Sequence, residues 1–250
     1  MLGLAALGLA VGSFLNVCIY RIPRRESLLH PPSRCPACGQ GLRWFDNVPV
    51  LGYVLLGGRC RACRAPISIR YPIVELVTMG VFLLHYAVFG WDALLAVRIL
   101  FACAMIVLFA IDLEHHLLPN VITLPGIVVG LICSLFVPPG LLDAFIGALV
   151  GGAVLWLIGE AYYRYSGQEG MGGGDVKMLA MIGAFLGWQQ VALTLVLSSV
   201  AGSVIGVLLI ATRRGGLKNE LPYGTFLALA ALIASLVGER IIAWYTGLYA

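Results

Sequence analysis

Two aspartates stand where a greasy chain should not keep acids. Asp112 closes the apolar run that ends in AIDLEHHLLPN, and Asp175 follows the glycines of GMGGGDVKM. A carboxylate inside a membrane segment costs about 2.5–3.5 kcal/mol on insertion scales, so an acid kept there is a functional candidate by default. The two are 63 positions apart, yet each falls at the same side of its segment and can share one depth. Two carboxyl groups within about 3 Å cannot both ionise and hold one proton between them. The ionised partner can take a proton from water while the protonated one polarises a carbonyl, which is amide hydrolysis by general acid–base work. Gly172 and Gly174 would let an extended substrate backbone approach the acid where a β-carbon would obstruct it. A plain helix N-cap is the simpler reading of Asp175, but it explains neither the glycines nor the second acid.

A second cluster carries different chemistry. CPAC supplies Cys35 and Cys38, and CRAC supplies Cys60 and Cys63. Two C-x2-C pairs let four thiolates converge on one tetrahedral zinc, although the 21-residue spacer slightly exceeds the usual range of about 15–20. Disulfides are disfavoured in a reducing cytoplasm, and a thioredoxin-type motif needs a βαβ context that is missing. A four-sulfur site leaves no open position for catalysis, so the expected role is to staple a small domain together. Cys18, Cys103 and Cys133 fall in apolar spans and read as small core residues.

The elements that must position these groups are membrane helices. Of 250 residues, 60% are hydrophobic and 11% charged, against about 45–50% and 25% in soluble domains. Apolar stretches near the 20 residues a helix needs to cross the bilayer recur along the chain. The expected spans are 1–20, 72–90, 93–111, 120–137, 143–162, 176–188, 190–212 and 223–244. The fold class is therefore an all-α polytopic membrane protein of about eight transmembrane helices. It divides into a first helix (1–20), a tetracysteine domain (21–71) and a transmembrane domain (72–250). The segment 176–188 is short and reads as either a span or a re-entrant element. No repeat is evident.

Residues 21–71 carry nine arginines against Glu26 and Asp46, which places that domain in the cytoplasm and the N-terminus outside. Counting spans then puts Asp112, Asp175, Lys177, Arg213, Arg214 and Lys218 on the cytoplasmic side, with Arg98 reaching the outer headgroups. The basic balance suits anionic inner-leaflet lipids and not nucleic acid.

Taken together and in order, GSFLNVCIYRIPR, the two cysteine pairs, YPIVELVT, IDLEHHLLPN, GMGGGDVKM and LPYGTFLA resemble the type IV prepilin peptidases. These are bifunctional aspartic leader peptidases and N-methyltransferases of the bacterial inner membrane. The resemblance implies that Asp112 and Asp175 are the catalytic aspartates. It implies removal of a short basic leader after a glycine, from prepilins and pseudopilins of a pilus or type II secretion system. Methylation of the new N-terminus from S-adenosylmethionine would follow. A peptidase without the methyltransferase activity is the narrower alternative. A proton-coupled transporter is the alternative of another class, but it would place acids at the midplane between repeats.

Other residues are open to more than one reading. Lys177 and Glu75 are candidate substrate contacts, with lipid snorkelling and an arginine pair as their plainer readings. Glu75 could equally face the methyl donor. His115 and His116 lie three and four positions beyond Asp112, within reach on a continued helix. Gly12, Ser13, Asn16 and Tyr20 form one helical stripe suited to packing against another span.

Overall fold

A computed structural model describes residues 1–168, 171–212 and 222–248. Gly170 and Leu221 of the motifs above, and the orientation markers Arg213, Arg214 and Lys218, lie outside the described residues. Among the described residues the regular structure is helical, with two isolated β-bridges in the largely irregular cysteine domain. The eight expected apolar segments are eight helices: α1 (Leu2–Arg21), α3 (Arg70–Phe89), α4 (Ala93–His115), α5 (Asn120–Cys133), α6 (Leu141–Ser166), α7 (Gly173–Leu186), α8 (Trp188–Ala211) and α9 (Tyr223–Gly247). A short α2 (Leu51–Leu55) lies in the cysteine domain. Six of these helices are long and apolar enough to cross a membrane, whereas α5 and α7 have 14 residues each.

The chain forms two compact units, Met1–Leu95 and Ala96–Ala250. In the first, α1 packs on α3 through small residues. A β-carbon on Gly8 would lie 2.7 Å from Met79 Cα, and one on Gly12 would lie 2.7 Å from Glu75 Cα. Glycines four apart let two helix backbones approach closely, as membrane helices need when no water drives them together. Asn16, on the same stripe, donates from Nδ2 to the Tyr71 carbonyl at 3.0 Å. The expected packing face of the first helix is thus the one that meets α3.

In the second unit, α7 is the centre. From Met178 to Leu186 it buries eight residues, among them Met181, Ile182 and Phe185. A helix hydrophobic on all sides belongs in a core. Gly147 and Gly151 of α6 face it: a β-carbon on Gly151 would stand 2.5 Å from the Leu179 carbonyl oxygen. Gly130 of α5 meets Ala184 and Phe185 in the same way. At about 1.5 Å per residue, α7 is only about 21 Å long. Clad by other helices, it has no need to match the bilayer thickness. Gly187, at φ +83°, ends it and starts α8 one residue later.

Arg98 corrects its expected place. It is 4% exposed, and its Nη1 stands 3.5 Å from the Phe185 carbonyl, at the C-terminal turn of α7. A cation there meets the negative end of the helix dipole, which a headgroup position would forgo.

Candidate active site and metal centre

Asp112 sits near the end of α4 and is 5% exposed. Its Oδ2 accepts two hydrogen bonds from Thr225, from the backbone N–H at 2.6 Å and from Oγ1 at 2.9 Å. Thr225 lies in the first turn of α9, where N–H groups lack the usual i−4 carbonyl, and its own N–H also reaches the Pro222 carbonyl at 3.2 Å. Asp112 therefore caps α9 from another helix, at the positive end of its dipole. Gly224 makes this approach possible: a β-carbon there would lie 3.0 Å from Asp112 Oδ2 and 2.8 Å from Leu118 Cδ1.

Asp175 occupies the first turn of α7. The helix is capped at Gly172 with no side-chain hydrogen bond, so Asp175 is not an N-cap. Its Oδ1 is buried without a hydrogen-bond partner, while Oδ2 folds back over Gly172, 3.2 Å from where a β-carbon would be. Gly174 faces Leu118, whose Cβ would stand 2.9 Å from an added β-carbon. Leu118 thus touches the glycine before Asp175 and the glycine beside Asp112, joining the two acids into one locality.

The other expected contacts are placed as follows. Gly172 is exposed, whereas Gly174 is half-buried against Leu118. Lys177 is half-buried and donates from Nζ to Asn120 Oδ1 of α5 at 2.9 Å. His115 and His116 are exposed. In the first unit, Glu75 is 7% exposed and accepts the Val50 N–H at 2.7 Å. Thr225, Gly224 and Leu118 are site residues that sequence reasoning did not single out. Two of them lie within LPYGTFLA, but only the fold lays that segment against Asp112.

The four cysteines form a second centre. Their sulfurs all lie within 4.8 Å of one another, and Cys35 Sγ is 3.8 Å from Cys63 Sγ. Four sulfurs around a metal at bonds of about 2.3 Å would stand about 3.8 Å apart, so the set fits a tetrahedral thiolate site. Each knuckle is built alike. Cys35 N–H donates to the Gln40 carbonyl at 2.9 Å and Cys60 N–H to that of Ala65 at 2.9 Å. Gly39 N–H donates to Cys35 O at 2.9 Å, and Arg64 N–H to Cys60 O at 3.0 Å. The bridges Arg34–Gly41 and Arg59–Pro66 close the two turns, so a local repeat of 25 residues exists that hydropathy does not display. The amides of Cys63 and Ala62 push the Cys60 thiol down to about 6, whereas the Cys63 thiol, despite the Ala65 amide, is pushed up to about 11 by its sulfur neighbours and burial.

Comparison with known proteins gives these groups a family. Residues 6–89 match the bacterial peptidase A24 N-terminal domain, and residues 99–207 match the type IV leader peptidase family. A prepilin leader peptidase/N-methyltransferase of Pseudomonas aeruginosa is 38% identical over 266 residues, covering 96% of this chain and 91% of that protein. The chain belongs to the type IV leader peptidase family. A relative of the same printed name from Pseudomonas putida is 41% identical, covering 95% of this chain and 90% of its own. One from Myxococcus xanthus is 42% identical over 222 residues, 87% of this chain and 65% of its own. No solved structure matches. In this leader peptidase family member the two matched regions follow the two compact units, with the cysteines in the first and both aspartates in the second.

Proposed function

We propose that this chain removes the leader from type IV prepilins and pseudopilins of a pilus or type II secretion system. The reaction takes place at the cytoplasmic face of the bacterial inner membrane, and the new N-terminal residue is then methylated. The relatives named for both activities support this, each aligned across most of the present chain. The observation that carries the peptidase assignment is the union of Asp112 with α9 through Thr225, beside an Asp175 oxygen that no protein donor reaches.

The chemistry follows from that asymmetry. Asp112 Oδ2 is engaged by two donors, which leaves Oδ1 to take a proton from water. Asp175 Oδ1 has no donor and is the natural seat of the shared proton, from which it can polarise the scissile carbonyl. The roles of the two acids exchange as the proton passes to the leaving amine. Exposed Gly172 offers the peptide a side-chain-free edge beside Asp175 Oδ2, and Gly174 sets the depth of the acid by seating on Leu118. Lys177, held by Asn120, adds a cation for the substrate or a lipid phosphate. Cys35, Cys38, Cys60 and Cys63 would hold one structural zinc. S-adenosylmethionine would supply an electrophilic methyl group on a sulfonium.

Mass spectrometry of a coexpressed prepilin tests the whole reading. The wild-type product should lack its leader and carry one added methyl group. Asp112→Asn and Asp175→Asn should each leave the precursor intact, a loss of roughly 10²–10⁴-fold or more for removal of an acid–base group. Leader removal by either purified variant at the wild-type rate would exclude the dyad.

A further inference from the structure

In the motif LPYGTFLA, Gly224 and Thr225 meet Asp112, while the residues on either side of them turn to α8. Tyr223 and Phe226 are three positions apart and share one face of α9. We propose that Tyr223, acting through Ser198 of α8, is a positioning residue for leader removal, an inference that rests on the acid-pair reading above. It sets the first turn of α9 so that both donors of Thr225 arrive at one oxygen of Asp112.

The contact is a short relay of hydroxyls. Ser198 is fully buried, and its Oγ donates to the Leu195 carbonyl at 3.1 Å. A serine hydroxyl carries one hydrogen, so the Tyr223 phenol, 3.0 Å away, is the donor to Ser198 Oγ. The ring of Tyr223 packs against the apolar core of the second unit, and its hydroxyl is the part that reaches α8. One turn further along α8, Gly202 faces the Phe226 ring, 3.7 Å from where a β-carbon would stand. Ser198 and Gly202 thus receive the two side chains of that face, one by a hydrogen bond and one by contact. Two residues beyond Tyr223, Thr225 gives its amide to Asp112 at 2.6 Å and its hydroxyl at 2.9 Å.

A rotation that carries Tyr223 away from Ser198 also carries Thr225 away from Asp112, because both residues belong to one helical turn. The groups of a catalytic site must be held within about 0.5 Å of their working geometry, and a misplacement of about 1 Å can cost 10²-fold in rate. The phenol hydrogen is committed to Ser198, so Tyr223 acts on position and not on proton transfer. The chemistry of the pair also supplies a clean variant. Tyr223→Phe keeps the ring and leaves Ser198 bonded to Leu195, so it strands no buried polar group on α8.

Leader removal by the full-length protein in lipid nanodiscs, followed by mass spectrometry well below each variant's thermal midpoint, tests this with every molecule folded. Tyr223→Phe and Ser198→Ala should each lower kcat about three- to tenfold and leave KM as in the wild type, since neither residue touches substrate. The double variant should be no slower than the slower single one, as expected of two residues that share one bond. In a Thr225→Val background, Tyr223→Phe should cost less than it does in the wild type, because the hydroxyl it aims is gone. Wild-type kcat in either single variant, a change confined to KM, or losses that multiply in full in the Thr225→Val background would overturn the assignment. Leader removal at the wild-type rate by Asp112→Asn would instead remove the acid-pair reading beneath it.

Discussion

Thr225 is the residue on which the geometry of the acid pair turns. Its hydroxyl and its amide both serve one oxygen of Asp112, so a single side chain ties α4 to the start of α9. A hydrogen bond to a charged group is worth about 1.5–3 kcal/mol. Thr225→Val keeps the shape and the amide bond but removes the hydroxyl. Leader removal should fall roughly tenfold or more in kcat/KM, since each decade is about 1.4 kcal/mol. Thr225→Ser should restore most of it and keep the wild-type melting temperature. Loss of activity that serine fails to rescue would point to packing, not to the hydroxyl. The acids themselves were legible because acids are rare in membrane segments. Their donor was not, because a threonine in an apolar helix has no distinguishing signature until its partner is known.

At the scale of elements, α7 is the helix around which the second unit closes. Its contacts with α6 run through glycine faces, so they tolerate no added volume. Gly151→Val would drive a side chain into the Leu179 carbonyl, 2.5 Å from the first added carbon. Overpacking of this kind costs about 1–3 kcal/mol, and backbone neighbours cannot rotate away as side chains do. The thermal midpoint in detergent should drop by several degrees, with leader removal lost in proportion as Asp175 is displaced at the head of the same helix. Hydropathy located this helix but left its form open, because the apolar run from Val176 to Gly187, 12 residues, suits a span poorly. Burial on all sides resolves it: α7 is separate from α8, and its length answers to its neighbours, not to lipid. Arg98 was misplaced by the same kind of reasoning, since a lone arginine near a helix end looks like a headgroup anchor until a helix C-terminus is found against it.

For the molecule as a whole, the two units carry separable stabilising elements. The first relies on the α1–α3 pair and the cysteine centre, and the second on its own apolar core. A domain of about 50 residues gains much of its folding free energy from a structural metal. Purified wild-type protein should therefore carry one zinc per chain, by elemental analysis. Cys35→Ser with Cys60→Ser should carry none. In that double variant, limited proteolysis should open residues 22–69 while the helices of 96–212 stay protected. Cleavage sites spread evenly through both units would contradict independent folding.

The sequence on its own determined composition, the eight apolar segments, the two cysteine pairs and the presence of two acids at segment ends. Each is a local property, written in residue type and spacing. Tertiary structure alone decided the partners: Thr225 and Gly224 at Asp112, Leu118 between the acids, Glu75 under Val50, and Arg98 at the end of α7. Those contacts join positions up to 113 residues apart, and hydrophobic burial sets them without favouring any one pairing in advance. Which glycine meets which backbone is a matter of shape, and shape appears only when the helices pack.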